Sequence, residues 1–303
     1  MSMDNQVRIV EVGPRDGLQN EPTFVETSVK IELVNRLTNS GLNDIEVGSF
    51  VSPKAIPQLA DSREVIAGIQ QPKKNRYWAL VPNEKGMLNA IEAGVKYIAV
   101  FAAASETFSQ RNINCSIEES IERFIPVADM AKKHNISMRG YVSCVLGCPY
   151  EGNISPDKVL FVSEKLKALG VSEISLGDTI GVGTAKQTKH LLQVMLQSIS
   201  ATELAMHFHD TYGQAVSNIN SSLEMGIRCF DSAVAGLGGC PYARGASGNV
   251  ATEDVLYFMH GSGMETGVDI YKVVEAGDWL CRTINRANQS KVAKALIGND
   301  SRC

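Results

Sequence analysis

At residues 204–213 the chain runs Leu204-Ala205-Met206-His207-Phe208-His209-Asp210-Thr211-Tyr212-Gly213, which predicts a short strand opening into a glycine-containing loop. Successive side chains of a strand point to opposite faces, so His207 and His209 share one face. Two imidazoles placed in this way can hold one cation, although two packed histidines without a ligand would give the same pattern. The chain has only five histidines, and finding two of them at one strand end favours a site.

Similar apolar runs rich in β-branched residues recur along the chain and alternate with helix-like stretches. The predicted strands are Val7–Val12, Asp44–Val47, Tyr77–Val81, Tyr97–Phe101, Ser137–Val145, Glu173–Leu176, Leu204–Phe208 and Cys229–Val234. The predicted helices are Thr27–Ser40, Asn83–Ala93, Ser116–His134, a stretch between Ser155 and Gly170, Thr184–Ser200, Gln214–Met225 and Ile270–Asn285. Eight alternating units in this length predict a (β/α)8 TIM barrel of parallel strands, with additional C-terminal helices. No G-x-G-x-x-G follows the first strand, which argues against a dinucleotide-binding fold.

Composition narrows the class of protein. The 303 residues carry no low-complexity break, so we expect one domain, with the barrel at about 6–262 and a helical extension at about 263–303. A net charge of -4 argues against a nucleic-acid partner, and no apolar run is long enough for a membrane span. The seven cysteines are irregularly spaced, and the first residues contain no targeting signal. We therefore expect reduced thiols and a cytoplasmic location. We also expect an enzyme that forms a homo-oligomer, a dimer or a tetramer.

Polar residues gather at the predicted strand ends, which is where barrel enzymes carry their active sites. They are Arg15 and Asp16 after strand 1, Glu46 in strand 2, Asp178 after strand 6, His207 and His209 on strand 7, and Cys240 and Asn249 after strand 8. Closing the barrel sets strand 8 beside strand 1. Strand ends 7, 8, 1 and 2 then become neighbours, and we expect their polar side chains to meet.

The residue types at these ends indicate a metal site. Asp16, His207, His209 and Asn249 offer two imidazoles and two hard oxygens, a set that suits Mg²⁺ or Mn²⁺. Cys240 as a fifth ligand would favour zinc instead.

Arg15 precedes Asp16 directly and places a fixed cation beside the predicted metal. Such a cation can stabilise a developing enolate or carboxylate, and a local ion pair is the plainer alternative. Glu46 either orients Arg15 or is a surface carboxylate at a strand end. Asp178 either lines the mouth of the barrel and binds substrate or serves the structure.

The loop Gly236–Asn249 contains five glycines, which permit close backbone approach to a ligand. It is either a phosphate cradle or a mobile lid carrying Cys240, and its length and thiol favour the lid. Cys144 and Cys148 are expected to be small core residues rather than ligands. The three other histidines lie on helical stretches and are expected at the surface: His134, His190 and His260.

Three segments resemble the 3-hydroxy-3-methylglutaryl-CoA lyases: Val10–Glu21, His207–Thr211 and Gly236–Asn249. The wider group is the DRE-type TIM-barrel metallolyases, whose defining Asp, Arg and Glu match Asp16, Arg15 and Glu46. The resemblance extends over about residues 6–290. The first segment and the Cys240 loop are specific to the lyases, whereas His-x-His is shared with relatives that condense acetyl-CoA with 2-oxo acids.

The resemblance implies cleavage of (S)-3-hydroxy-3-methylglutaryl-CoA to acetyl-CoA and acetoacetate, with a small acyl-CoA as partner. It implies a divalent cation, Mg²⁺ or Mn²⁺, on Asp16, His207, His209 and Asn249. Arg15 would contact the substrate carbonyl, and Cys240 would be a catalytic thiol. The base that takes the hydroxyl proton would be His207 or a group to which His207 relays.

Three other classes of protein remain open at this point. A Claisen-type synthase, similar to the isopropylmalate or homocitrate synthases, would use acetyl-CoA and a 2-oxo acid. A non-haem Fe(II) oxygenase would also use two histidines and a carboxylate, but it usually has another fold. A binding or scaffold barrel would have no need for this set of polar residues.

Overall fold

The protein is a closed barrel of eight parallel strands in sequence order, and the computed structural model describes residues 5–239 and 248–300. The strands are β1 Arg8–Glu11, β2 Asp44–Ser49, β3 Arg76–Leu80, β4 Tyr97–Ala103, β5 Ser137–Ser143, β6 Glu173–Asp178, β7 Leu204–Phe208 and β8 Cys229–Ser232. Strand β8 pairs with β1 over four residues, which closes the barrel. The predicted fold class is confirmed.

Helices occupy each crossover between consecutive strands. They are α1 Thr27–Asn39, α2 Ser62–Gly68, α3 Glu84–Glu92, α4 Glu106–Ile113, α5 Ile117–Lys133, α6 Pro156–Ala168, α7 Ala185–Met195, α8 Ala215–Glu224, α9 Thr252–Gly261, α10 Ile270–Thr283 and α11 Lys291–Asp300. Helices α10 and α11 follow the barrel, as the sequence predicts. Helices α2 and α4 are shorter than the predicted ones and were not expected.

Local sequence signals account for several helix and strand ends. Ser155 accepts a hydrogen bond from the Lys158 N–H, and Pro156 occupies the first turn of α6. Ser116 opens α5 with a reciprocal capping box. The strand predicted to run to Val145 ends at Ser143, because Cys144 adopts a left-handed φ of 63°.

Two cores of different character support the site. Apolar side chains fill the layer between the strands and the surrounding helices. The interior of the barrel instead holds buried charged side chains, including Arg139, Glu173 and Asp231. Barrel interiors are usually packed with branched apolar residues, so these charges depart from the common pattern.

The search for membrane-crossing helices gave a negative result. Within residues 5–239 and 248–300, no helix is both long enough and apolar enough to span a bilayer.

Candidate metal centre at the carboxyl ends of the strands

The two histidines of β7 meet a carboxylate from the loop after β1. Asp16, His207 and His209 each offer one ligand atom, and these three atoms lie within 4.8 Å of one another. Asn249 joins them by donating a hydrogen bond from Nδ2 to Asp16 Oδ2, at 2.7 Å. The four residues that the sequence predicts as metal ligands are therefore close together.

The pKa values of the cluster residues are shifted in directions that favour cation binding. Burial alone would raise the pKa of Asp16, but the charge of Arg15, helped by His207 and His209, lowers it to about 2. Burial lowers the pKa of His209 to about 4, and the neighbouring His207 adds to the effect. Near neutral pH the cluster thus contains an ionised carboxylate and a neutral His209 imidazole, the forms in which both groups bind metals.

Two polar atoms at the cluster test whether a cation fits. Among the described residues, neither His209 Nδ1 nor Asn249 Oδ1 has a hydrogen-bond partner, although both atoms are buried. Buried polar atoms without partners are costly and call for an explanation such as an ion. Because the donors are nitrogen and oxygen with no thiolate among the described residues, the set fits Mg²⁺ or Mn²⁺.

Arg15 lies beside the cluster in a π-helical turn, Gly13–Gly17, that follows β1. Its guanidinium forms ion pairs with Asp16 at 2.8 Å and with Glu46 at 2.7 Å. Glu46 is fully buried, so it is not the surface carboxylate that the sequence left open. A bulge in β2 directly after Glu46 accompanies this arrangement, and bulges commonly re-aim side chains next to active sites.

Asp178 has the contacts of a structural residue. Its two carboxylate oxygens accept hydrogen bonds from the backbone N–H groups of Val182 and Gly183, and the side chain is fully buried. Burial raises its pKa to about 6, against the effect of these N–H donors. Its neighbours Gly177 and Thr179 line the cavity at this end of the barrel, whereas Asp178 itself is not among the lining residues. These contacts favour the loop-holding alternative for Asp178 over substrate binding.

The two ends of the glycine-rich loop pack against each other next to Asn249. A Cβ atom on Gly248 would lie 2.3 Å from the Gly238 carbonyl carbon, and one on Gly238 would lie 2.9 Å from Asn249 Nδ2. Gly238 also has a φ of +116°, which side chains disfavour. Close backbone approach thus explains these two glycines. Cys240 and the rest of 240–247 lie outside the described residues.

A cavity of about 740 Å³ opens above the cluster. Arg15, Asp16, His207 and His209 line one part of it. Other parts carry apolar side chains from strands β3 and β4 and from helices α4 and α5, namely Leu80, Phe101, Phe108 and Phe124. A cavity with an apolar wall and a few converging polar groups is typical of a small-molecule site.

Comparison with known proteins assigns the chain to a family, because the HMGL-like family model matches residues 6–280. The chain belongs to the HMGL-like family. A Pseudomonas aeruginosa relative, named 3-hydroxy-3-isohexenylglutaryl-CoA/hydroxy-methylglutaryl-CoA lyase, is 57% identical over 98% of this chain and 99% of its own length. A rat relative, named 3-hydroxy-3-methylglutaryl-CoA lyase, cytoplasmic, is 58% identical over 95% of this chain and 84% of its own.

Solved structures give the same assignment for this HMGL-like chain. The crystal structure of hydroxymethylglutaryl-CoA lyase from Pseudomonas aeruginosa matches with a TM-score of 0.96 and 56% identity, over 98% of this chain and 100% of that one. An HMG-CoA lyase from Acinetobacter baumannii, in complex with coenzyme A and 3-methylmalate, matches with a TM-score of 0.93 and 38% identity, over 97% and 96%.

The site of this HMGL-like protein includes buried residues that the sequence analysis did not select. Glu11 accepts hydrogen bonds from the N–H groups of Gly13 and Val234 and from Thr252 Oγ1, so it joins the loop after β1 to the end of β8. Burial raises its pKa to about 7. Tyr141 donates to Glu46 Oε2 at 3.2 Å. The available signal for Glu11 was a carboxylate directly after two apolar residues at the end of β1, whereas Tyr141 lies among other polar residues of β5 and gave no such signal.

Proposed function

We propose that this protein is a divalent-metal-dependent lyase that cleaves 3-hydroxy-3-methylglutaryl-CoA to acetyl-CoA and acetoacetate. The observation that carries the proposal is the Asp16–His207–His209 cluster beside Arg15 on the cavity wall of an HMGL-like chain. Relatives that are 57% and 58% identical over nearly the whole chain are named as lyases of this substrate. The named relatives favour the lyase over a condensing enzyme.

The proposed ligand set is Asp16, His207, His209 and Asn249. When bound there, Mg²⁺ or Mn²⁺ supplies Lewis acidity that lowers the pKa of a substrate hydroxyl. His207 was also considered as the base for that hydroxyl. Its Nδ1 lies 3.2 Å from Asp231 Oδ2, so only Nε2 faces away from that partner, and one nitrogen cannot serve both roles. We therefore propose His207 as a ligand and not as the base.

The bond changes define what the remaining residues must do. Loss of the tertiary hydroxyl proton forms the ketone of acetoacetate, and the C2–C3 bond breaks with its electron pair entering the thioester enolate. Arg15, held by Asp16 and Glu46, donates hydrogen bonds to the developing enolate oxygen. Cys240 gives a proton to the enolate carbon, which becomes the methyl group of acetyl-CoA.

The apolar part of the cavity supports a wider range of acyl chains. Leu80, Phe101 and Phe124 offer a surface for a longer substituent at C3 than the methyl group. The Pseudomonas aeruginosa relative is named for an isohexenyl as well as a methyl substrate. We propose that this chain also accepts a longer, branched 3-substituent.

The test is a direct assay of the purified protein with Mg²⁺. We expect acetoacetate from 3-hydroxy-3-methylglutaryl-CoA, and the matching oxo acid from the isohexenyl substrate. The condensing alternative is tested in parallel by incubating the protein with acetyl-CoA and 2-oxo acids and measuring the free CoA thiol that condensation releases. Condensation without cleavage of either substrate would overturn the proposed lyase activity, and failure of the isohexenyl substrate alone would remove the wider range.

Removing the metal should abolish activity. We expect a chelator to inactivate the protein and added Mg²⁺ or Mn²⁺ to restore it, because a site of two imidazoles and two oxygens should bind these ions reversibly. Asp16→Ala removes the only carboxylate of the cluster and should weaken Mn²⁺ binding by at least about tenfold. Titration calorimetry of both proteins checks the second expectation.

A matched control separates metal binding from stability. Asp269 caps α10 by accepting from the N–H groups of Tyr271 and Lys272, away from the cluster. Asp269→Ala should cost about 1 kcal/mol of stability and leave Mn²⁺ affinity unchanged. Full activity in the metal-stripped wild-type protein would refute the metal-dependent mechanism.

The domain organisation, cellular location and assembly of the protein are also part of the proposal. We propose one catalytic barrel domain acting in the cytoplasm as a homo-oligomer. The rat relative is named as a cytoplasmic form, and the five cysteines of the described residues are buried and form no disulfide with one another. Reduced thiols are typical of a reducing compartment.

A further inference from the structure

The buried guanidinium of Arg139 is linked by hydrogen bonds to residues that contact His207 and to residues that contact Arg15. Arg139 lies on β5 with only 1% of its side chain exposed. It donates from Nε to Glu173 at 2.8 Å, from Nη2 to Asp231 at 2.5 Å and from Nη1 to the Tyr141 hydroxyl at 3.0 Å. The guanidinium is thus fixed in all three directions by residues of β5, β6 and β8.

One branch of this network ends at His207. Asp231 Oδ1 accepts from Arg139, and Oδ2 accepts from the Ser175 hydroxyl at 2.7 Å and lies 3.2 Å from His207 Nδ1. Asp231 is paired directly with the permanent cation Arg139 and also accepts from Ser175, and such partners favour the ionised form of a carboxylate. An ionised carboxylate only accepts hydrogen bonds, so the hydrogen between the two groups belongs to His207 Nδ1. The lone pair of His207 then lies on Nε2.

The other branch ends at Arg15. The Tyr141 hydroxyl accepts from Arg139 and donates to Glu46 Oε2, and the same oxygen pairs with Arg15 Nη2 at 2.7 Å. Arg139 is therefore connected through Asp231 to the proposed ligand His207. It is also connected through Tyr141 and Glu46 to Arg15, the proposed enolate-stabilising cation.

Stability alone is a poor reason for this arrangement. Desolvating an arginine and two carboxylates costs several kcal/mol per ion, and well-packed apolar side chains of similar volume are often equally stable. The interior of a barrel is ordinarily filled in that apolar way.

We propose that Asp231, anchored by Arg139, is a positioning residue that holds the hydrogen of His207 on Nδ1 and so presents Nε2 to the metal cluster. This inference rests on the proposed metal-dependent function and adds to it the residues that hold the proposed ligand His207 in place. A carboxylate that accepts from the second nitrogen of a ligating histidine fixes both the ring orientation and the tautomer.

Asp231→Asn is the decisive variant. The amide oxygen must stay on the Arg139 guanidinium, so the amide NH₂ turns toward His207. His207 Nδ1 must then accept, which transfers the hydrogen to Nε2, where it faces the cluster. We expect the Kd for Mn²⁺, measured by titration calorimetry without substrate, to rise roughly 10–100-fold.

Glu173→Gln is the matched control. It makes the same carboxylate-to-amide change on the same guanidinium, but Glu173 has contacts to Arg139, Arg8 and Cys229 and none to His207 among the described residues. We expect Glu173→Gln to lower the melting temperature and to keep the Kd for Mn²⁺ within about twofold of wild type. Equal weakening in both variants would overturn the positioning role and reduce the network to a structural one.

The tautomer provides a readout that needs neither metal nor a variant of Asp231. ¹⁵N imidazole spectra of the metal-free wild-type protein, recorded about two pH units above the ordinary histidine pKa, should show the His207 hydrogen on Nδ1. His207→Gln identifies the signal among the five histidines. A hydrogen on Nε2 would overturn the proposal even if Asp231→Asn fails to fold.

The outcomes separate this proposal from the one on which it rests. Unchanged Mn²⁺ affinity in folded Asp231→Asn, with wild type binding Mn²⁺ and cleaving substrate, removes the positioning role alone. Wild-type protein that neither binds Mn²⁺ nor cleaves the acyl-CoA removes the proposed function and, with it, this extension.

Discussion

Replacing Arg15 with glutamine should lower kcat by at least about 10²–10³-fold, the scale for losing one donor to a developing oxyanion. KM should change far less, because the interaction strengthens only as charge moves onto the enolate oxygen. Arg15→Lys should be similarly impaired, since an ammonium cannot pair with Asp16 and Glu46 while keeping a planar donor fork for substrate. Steady-state kinetics on the Mg²⁺-loaded variants measure both expectations.

The control for Arg15 must separate chemistry from packing. Glu46 is buried, burial raises its pKa and the charge of Arg15 opposes that rise, so losing Arg15 should raise the pKa further and disturb the packing. Melting temperatures therefore accompany the kinetics. Arg123 lines the same cavity away from the cluster, and Arg123→Gln should alter KM without the loss in kcat. A change confined to KM in Arg15→Gln would make Arg15 a substrate-binding residue only.

The sequence contained enough information for the fold and for most of the site. Alternation of apolar runs with capped helices requires parallel strands, and eight such units close into a barrel. Closure then brings β7, β8, β1 and β2 together, so that Asp16 and Asn249, which are 233 positions apart, become neighbours. The spacing of His207 and His209 needed only the two-residue period of a strand.

The buried network was not predictable in the same way. Arg139 pairs with Asp231 across 92 residues and with Glu173 across 34, and neither pair follows from any local period. Whether a charged residue in a strand points inward depends on the barrel register, which sequence patterns alone do not give. The two alternatives for Asp178 could not be separated for a related reason, because the contacts of its carboxylate to Val182 and Gly183 form only once the following loop folds.

Cys240 follows directly on a residue that touches the cavity. Gly239 lines that cavity, and its carbonyl accepts from Asn20 Nδ2 at 3.2 Å. Gly248, at the other end of the segment, precedes the proposed ligand Asn249 and accepts from the Asp210 N–H. The residues that flank 240–247 thus lie on the cavity wall and next to the proposed ligand Asn249, which supports the proposal that the Cys240 thiol acts on substrate.

Replacing Cys240 with serine should lower kcat by about 10²–10⁴-fold, the range for loss of a positioned acid or base. A thiol has a pKa near 8.5, and a nearby cation lowers it, whereas a serine hydroxyl of similar size is far less acidic. Metal affinity and melting temperature should stay close to the wild-type values, because the proposed role of the thiol is proton transfer and a serine side chain is similar in size. The measurements are kcat, KM and the melting temperature of both proteins.

Cys281 provides the opposite control, because it is buried in α10 and burial raises its pKa to about 11. Cys281→Ser should lower the melting temperature and leave kcat unchanged, since a hydroxyl there adds a polar group to the core. Alkylation gives a second, independent comparison: Cys240 should react first, and bound substrate should protect it. If Cys240→Ser instead keeps near-wild-type kcat, the proton must reach the enolate carbon from another acid, and Cys240 is a packing residue of its loop.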